Sequence, residues 1–229
     1  MTGAAGGRPA ARVNVLRRLA ERGLRPDTAL GQHFLVDENL ADLAIRRAGV
    51  TPADVVLEIG AGPGVLTAAL ARAAATVHAV EIDRRLEDLL DEAISGAGDV
   101  RVHWGDAMQM AWEELDPAPT LMVANLPYNI ATPAVVESTW RLPSLRAWCV
   151  MTQREVADRW EAAPGGRLYG VPSVLLALAA APSFRRNVGR DVFAPPPRVD
   201  SALVAMTRTA PGASEPVRAV VRAAFAQRR

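Results

Sequence analysis

Apolar positions along this 229-residue chain come in short unbroken runs separated by stretches of helical spacing. Asp54-Val-Val-Leu-Glu-Ile59 reads as a buried strand, Gly60 to Gly64 as a turn, and Val65 to Ala75 as an Ala/Leu helix. Thr76 to Ile82 predicts a second strand, Arg84 to Ile94 a helix, Val100 to Trp104 a third strand and Thr120 to Ala124 a fourth. A further strand over Ala147 to Met151 is followed by a helix over Gln153 to Glu161. Strands alternating with helices predict an α/β fold with a mainly parallel sheet and helices on both faces.

The flanks read differently. Val13 to Arg22 has helical spacing with a basic face, the pattern of a solvated helix, and Asp37 starts a helix carrying Leu40, Leu43 and Ile45. Ser173 to Ala181 predicts a buried helix, and Phe193-Ala-Pro-Pro-Pro-Arg-Val199 is too proline-rich for a helix or a central strand, so it predicts an ordered loop. Ser201 to Thr207 reads as a last strand, Thr209 to Pro216 as a linker, and Val217 to Phe225 as the start of a helix. That helix reaches Arg229 without a cap, as expected where more chain belongs after it.

Composition narrows the class. A hydrophobic share of 50% can fill a sizeable core, and the single Cys149 can form no internal disulfide. With no long apolar run and no apolar segment near the N-terminus, neither a membrane span nor a signal peptide is expected, and the cytoplasm is the expected compartment. The net charge of +1 conceals an uneven distribution, because residues 1–25 carry six Arg against one acid and residues 141–229 carry fourteen against six. Between them, residues 26–140 carry six Arg against eighteen acids. Basic ends around an acidic middle suit a phosphate-rich partner gripped at the flanks. His33, His78 and His103 are scattered without metal-ligand spacing, so no metal is expected. The five Trp residues are expected in packing roles.

Candidate chemistry falls at successive strand ends. Glu58-Ile-Gly-Ala-Gly-Pro-Gly64 places glycines between a strand and a helix, where backbone can approach a ligand, while the Glu58 carboxylate would repel a phosphate. This favours a ligand with a positive centre and no phosphate, a description that S-adenosylmethionine meets. Glu81 ends the second strand about twenty residues later, where a carboxylate accepts from ribose hydroxyls. Asp106 follows the third strand and is suited to an adenine amine. The fourth strand delivers Asn125-Leu-Pro-Tyr128 to the same edge. An exocyclic amine on a nucleobase is a poor nucleophile because its lone pair is delocalised. The Asn125 carbonyl and an adjacent strand-end carbonyl can accept its two hydrogens and aim the lone pair at a methyl donor. Pro127 fixes this backbone, and Tyr128 offers a ring for an extruded base.

These residues resemble the rRNA adenine N6-dimethyltransferases, the family that contains the small-subunit dimethyladenosine transferases and the macrolide-resistance methyltransferases. The resemblance runs through "GQHFLVD" at 31–37, "EIGAGPGVLT" at 58–67, "VEID" at 80–83, "GDA" at 105–107 and "NLPYNIATP" at 125–133. It continues in "MTQREVADR" at 151–159, "YGVPSV" at 169–174, "FAPPPRVDSALV" at 193–204 and "FAQRR" at 225–229. It implies a Rossmann-like class I methyltransferase with a seven-stranded sheet, and S-adenosylmethionine as cofactor. His33 and Leu35 would contact the methionine part, Glu58, Gly60 and Gly62 its surroundings, Glu81 and Ile82 the ribose side, and Asp106 and Ala107 the adenine. Asn125, Leu126, Pro127 and Tyr128 would position the target adenosine, Asn125 bordering the cofactor as well, with Phe193 as a second stacking surface opposite Tyr128. His33 stands where the family commonly has Asn.

The resemblance also implies an organisation and a substrate. Residues 1–30 form a basic N-terminal extension, 31–208 the catalytic domain, and 209–229 a linker and the first helix of a small helical domain. The expected reaction is dimethylation of two adjacent adenosines near the 3′ end of 16S rRNA, in the 30S subunit or its precursor, by a monomer. The alternatives are a 23S rRNA resistance methyltransferase and a ribosome-assembly factor without catalysis; methylation of a small molecule or protein suits the basic ends less well. Arg185-Arg186 and Arg228-Arg229 are candidate phosphate contacts.

Overall fold

A computed structural model describes residues 9–27 and 30–226. Arg228 and Arg229 lie outside the described residues. The chain opens with α1 (Pro9–Glu21), a two-residue strand β1 (Phe34–Leu35) and α2 (Glu38–Ala48). Asp37 caps α2 by accepting the Leu40 amide at 3.0 Å, as its position before the apolar pattern predicts. The nucleotide-fold alternation follows: β2 (Val55–Ile59), α3 (Val65–Ala71), β3 (Thr76–Glu81), α4 (Glu87–Ile94), β4 (Val100–Trp104), β5 (Leu121–Asn125), α5 (Ala131–Arg141), β6 (Ala147–Gln153) and α6 (Arg154–Trp160). The chain ends with α7 (Val171–Ala177), β7 (Ala180–Val188), β8 (Phe193–Ala194), β9 (Ser201–Arg208) and α8 (Glu215–Ala226).

Seven strands form one sheet in the order β4-β3-β2-β5-β6-β9-β7, and β1 pairs separately with β8. The β2, β3, β4, β5 and β6 pairings are parallel, whereas β9 runs antiparallel to both β6 and β7. Strand alternation divides the core. Leu121 and Val123 of β5 pack with α2 and α3 residues such as Ala41 and Leu70, while Met122 and Ala124 pack on the other face with Ala134 and Val135 of α5. Trp112, Trp148 and Trp160 are buried in that second layer, in line with packing roles. The chain runs outward from β2 through β3 to β4 on one side and then crosses to β5 on the other side of β2, and the crevice at this reversal is where open α/β sheets bind ligands.

Several sequence expectations need correction. The helix expected over Val65–Ala75 stops at Ala71, because the Ala75 amide bonds the Asp54 carbonyl at 2.9 Å and draws the chain into β3. The helix expected over Ser173–Ala181 ends at Ala177, and its last residues open β7. Pro182 is tolerated there because β7 is an edge strand with a register shift between Pro182 and Phe184. The loop expected from Phe193 starts as strand β8, with Phe193 opposite Leu35 and Ala194 opposite Phe34. The N-terminal helix is not a freely solvated one: Val15 and Leu19 are buried against Phe34, Leu86 and Leu89.

Candidate active site

The turn after β2 is built on glycine for local reasons as well as for access. Gly60 has φ 83° and Gly62 has φ 58°, the left-handed region that L side chains rarely adopt. A Cβ on Gly62 would lie 2.9 Å from the Phe34 ring, so this residue lets β1 close over the turn.

Around that turn the carboxyl ends of β2, β3, β4 and β5 enclose one cavity. Gly60, Gly62, Glu81, Ile82, Asp106, Ala107, Asn125 and Pro127 line it, together with His33. Leu30, Asn129 and Ile130 also line it, though no chemistry in the sequence singled them out. The Glu81 carboxylate is fixed by three backbone amides: Oε2 accepts from Gly62 at 2.8 Å, and Oε1 from Ile82 at 3.0 Å and Asp83 at 2.9 Å. Burial raises the Glu81 pKa above the ordinary carboxylate value, and the amides of Asp83, Gly62 and Ile82 oppose that rise. Because Oε2 takes a single amide, it keeps acceptor capacity for a hydroxyl. Asp106 accepts from the Met108 amide at 2.9 Å and from Gln109 at 2.8 Å.

Asn125 ends β5 with its side-chain nitrogen committed: Nδ2 donates to the His33 carbonyl at 2.9 Å. His33 in turn lies with its ring stacked on Tyr128, centroids 5.6 Å apart at 29°, and its Nδ1 is 2.9 Å from the Pro195 carbonyl. A carbonyl only accepts, so Nδ1 carries the proton of that bond. The Tyr128 hydroxyl meets Ser201 Oγ at 2.8 Å. The segment before β1 is tied to the same site through Gln32, whose Nε2 donates to Asp83 at 2.8 Å, and Asp83 also holds Arg85. Neither Ser201 nor the Gln32–Asp83 bridge was marked by periodicity or motif chemistry.

Not every expected residue faces the cavity. Leu126 is 1% exposed and packs in the core, which leaves only its backbone at the site. Leu35 and Glu58 are buried and line a smaller cleft behind the glycine turn, which Asn125 also borders. Phe193 is 0% exposed, and this corrects its expected role opposite Tyr128: pairing of β8 with β1 turns the ring into the core beside Leu35 and Val192. Burial, reinforced by the Glu81 charge, pushes Glu58 up to about 8, with Thr67 acting the other way. Glu58 is thus not the ready anion that the sequence suggested. Among the described residues no group of three or more His, Cys, Asp or Glu is placed to hold a metal ion.

A fixed carboxylate at the end of β3, a glycine turn beside it and a second carboxylate after β4 fit the hydroxyls and amine of S-adenosylmethionine. Seven strands with these features define a class I S-adenosylmethionine-dependent methyltransferase. The family described as ribosomal RNA adenine dimethylase matches residues 24–229, and the chain belongs to that family. It is 46% identical to the ribosomal RNA small subunit methyltransferase A of Rubrobacter xylanophilus over 92% of this chain and 80% of that one. It is also 46% identical to the protein so named in Thermobifida fusca, over 95% of this chain and 78% of that one. Among solved structures, a dimethyladenosine transferase from Plasmodium falciparum superposes with TM-score 0.73 at 28% identity, covering 86% of this chain and 72% of that one. The 23S rRNA methyltransferase ErmE gives TM-score 0.67 at 32% identity, covering 80% of this chain and 72% of that one. Among the described residues no helix is long and apolar enough to cross a membrane.

Proposed function

We propose that the chain transfers methyl groups from S-adenosylmethionine to N6 of two adjacent adenosines near the 3′ end of 16S rRNA, in the 30S subunit or its precursor. The observation that carries this reading is the Asn125 amide, which lines the cavity beside Pro127 with its nitrogen spent on the His33 carbonyl, so that its oxygen, without a donor among the described residues, is the end left to accept. The small-subunit relatives at 46% identity support the choice of RNA. The enzyme works as a cytoplasmic monomer without a metal, with residues 31–208 as its catalytic unit, α1 packed against it, and 209–229 as a linker and first helix of a helical region.

The cofactor supplies an electrophilic methyl on a positively charged sulfur; the protein supplies position. Glu81 accepts from the ribose hydroxyls, Asp106 and Ala107 hold the adenine, and Ile82, which is 50% exposed, gives that ring an apolar face. Gly60 and Gly62 admit the methionine part, bordered by His33, Leu35 and Glu58. Asn125 Oδ1 and the Leu126 carbonyl take the two N6 hydrogens, which draws the nitrogen lone pair out of the purine ring. Tyr128 stacks on the extruded base, its ring backed by His33 and its hydroxyl seated on Ser201.

The test is transfer of labelled methyl to 30S particles lacking the modification, in parallel with 50S particles, followed by mapping of the labelled base. Dimethyladenosine in the 16S 3′ region is expected. Label in 23S rRNA alone would establish the alternative, a large-subunit rRNA methyltransferase, instead. Cofactor binding with no label in either particle would point to an assembly factor.

A further inference from the structure

Three strands end together beside the Tyr128 ring. Gln153 of β6 lies opposite Ser201 of β9, and Ser201 lies opposite Val188 of β7. Just beyond these ends the chain brings Arg154, Asp200 and Arg190 together. The Arg154 amide donates to the Asp200 carbonyl at 2.9 Å, and the two guanidinium groups approach the Asp200 carboxylate from either side, at 3.4 Å for Arg154 and 3.6 Å for Arg190. Ser201, the next residue, carries the Tyr128 hydroxyl at 2.8 Å.

These two arginines differ from Arg141, Arg146 and Arg185 of the same half of the chain; Arg222, also exposed and 3.8 Å from Glu215, belongs to α8 rather than to these strand ends. Arg146 meets Asp54 at 2.8 Å and Arg141 meets Glu113 at 2.8 Å, distances of charge-assisted hydrogen bonds, and Arg185 is clasped between Asp158 and Glu161. Arg154 and Arg190, with 52% and 55% of their side chains exposed, share a single half-exposed carboxylate at longer range. Exposed pairs of this kind contribute little, so a phosphodiester held in place by the rest of the RNA replaces the carboxylate at small cost. The planar guanidinium fork matches a phosphate in two directions at once.

We infer that Arg154 and Arg190 form a seat for one phosphodiester of the rRNA strand beside the target adenosine, with Asp200 keeping the two guanidinium groups aligned until the phosphate displaces it. This rests on the reading of the cavity as an rRNA-modifying site. Base stacking on Tyr128 fixes one point of the nucleotide, and a phosphate one strand-end away fixes the register of the backbone. Asp200 also charges a penalty against anions that lack the rest of the RNA, since every bound phosphate must first push it aside.

The experiment is equilibrium binding of unmodified 16S rRNA over a salt series, for the wild type and for Arg154→Gln, Arg190→Gln and Asp200→Asn. Arg101→Gln, on the far edge strand β4, controls for the loss of one positive charge. Arg154→Gln and Arg190→Gln are each expected to lower the slope of log K against log salt, by at most about 1 because they share one phosphate, Asp200→Asn to tighten binding, and Arg101→Gln to leave the slope as in the wild type. Binding of S-adenosylmethionine, measured separately, stays at the wild-type value in all four variants. The inference is overturned if Arg154→Gln and Arg190→Gln keep the wild-type slope, if Arg101→Gln lowers it equally, if Asp200→Asn weakens RNA binding, or if cofactor affinity falls with RNA affinity. A wild type that binds rRNA but methylates none would count against the proposed reaction and leave this slope comparison to decide the seat.

Discussion

Asn125 Nδ2 donates to the backbone carbonyl of His33 across 2.9 Å, joining the end of β5 to the segment that leads into β1. The bond commits the amide nitrogen and leaves the oxygen as the end that can accept. Replacing Asn125 by Ala removes one of two acceptors for the N6 hydrogens and frees the His33 carbonyl. Methyl transfer is expected to fall on the order of 10²–10³-fold, the cost of deleting one preorganised polar group from a reacting centre. Cofactor affinity is expected to change little, because Glu81 and Asp106 are untouched. Single-turnover transfer and cofactor titration on the same preparation check both halves, and near wild-type transfer would remove Asn125 from the reaction.

Gly62 carries two demands at once, a φ of 58° and contact with Phe34 where a Cβ would come within 2.9 Å. Gly62→Ala therefore strains the turn and pushes β1 away. A loss on the order of 2 kcal/mol is expected from the left-handed backbone alone, together with weaker cofactor binding because the Gly62 amide is one of the donors that fix Glu81. Denaturant titration with and without cofactor separates the two effects.

Asp54 sits before β2 as the buried acid of a small network. Burial alone would raise its pKa, but hydrogen bonds from Thr51, Arg146 and Thr120 outweigh it and bring the group down to about 2. A depressed carboxylate stabilises the fold above the unfolded value and loses that contribution as pH falls through the folded one. Between about pH 4 and pH 2 the wild type is expected to lose on the order of 2 kcal/mol that Asp54→Asn never had. The gap between the urea midpoints of the two proteins should narrow from pH 6 to pH 3 and close towards about pH 2; a constant gap would assign the acid sensitivity elsewhere.

What the sequence disclosed of this site is what lies close together along the chain. The glycine turn after a β-strand, Glu81 at the end of the next and Asn125-Leu-Pro-Tyr128 after β5 are each a strand end with its own turn, and the regular alternation of strands stacks those ends on one edge. The contacts that set orientation are between distant segments, and no periodicity encodes them. Phe193 is expected opposite Tyr128 through the family resemblance alone, whereas its environment is decided by pairing of β8 with β1, where it lies opposite Leu35. Likewise β7 was hidden because Leu175 to Ala181 is as apolar as a helix interior, and only its place at the sheet edge makes Pro182 acceptable in a strand. Gln32 and Ser201 are polar residues whose partners, Asp83 and Tyr128, arrive from elsewhere in the fold.

Glu58 makes the ligand-free protein sensitive to mild alkali. It is 1% exposed, its Oε2 has no hydrogen-bond partner among the described residues, and burial with the Glu81 charge pushes it from 4.5 up to about 8. A raised carboxyl binds its proton more tightly in the folded chain than in the unfolded one. Between about pH 4.5 and pH 8 the unfolded state therefore carries fewer protons, and stability falls as pH rises, by at most about 1.4 kcal/mol per pH unit, levelling off above the folded value. Glu58→Gln substitutes a neutral amide and should lack this slope, so its melting temperature relative to wild type is expected to rise between pH 5 and pH 8. A positively charged ligand in the adjoining cleft favours the ionised form, so cofactor affinity in the wild type should increase over the same interval with release of a proton. Calorimetry in two buffers of different ionisation enthalpy reads that proton directly; equal apparent heats, or an unchanged pH slope in Glu58→Gln, would mean that another group titrates.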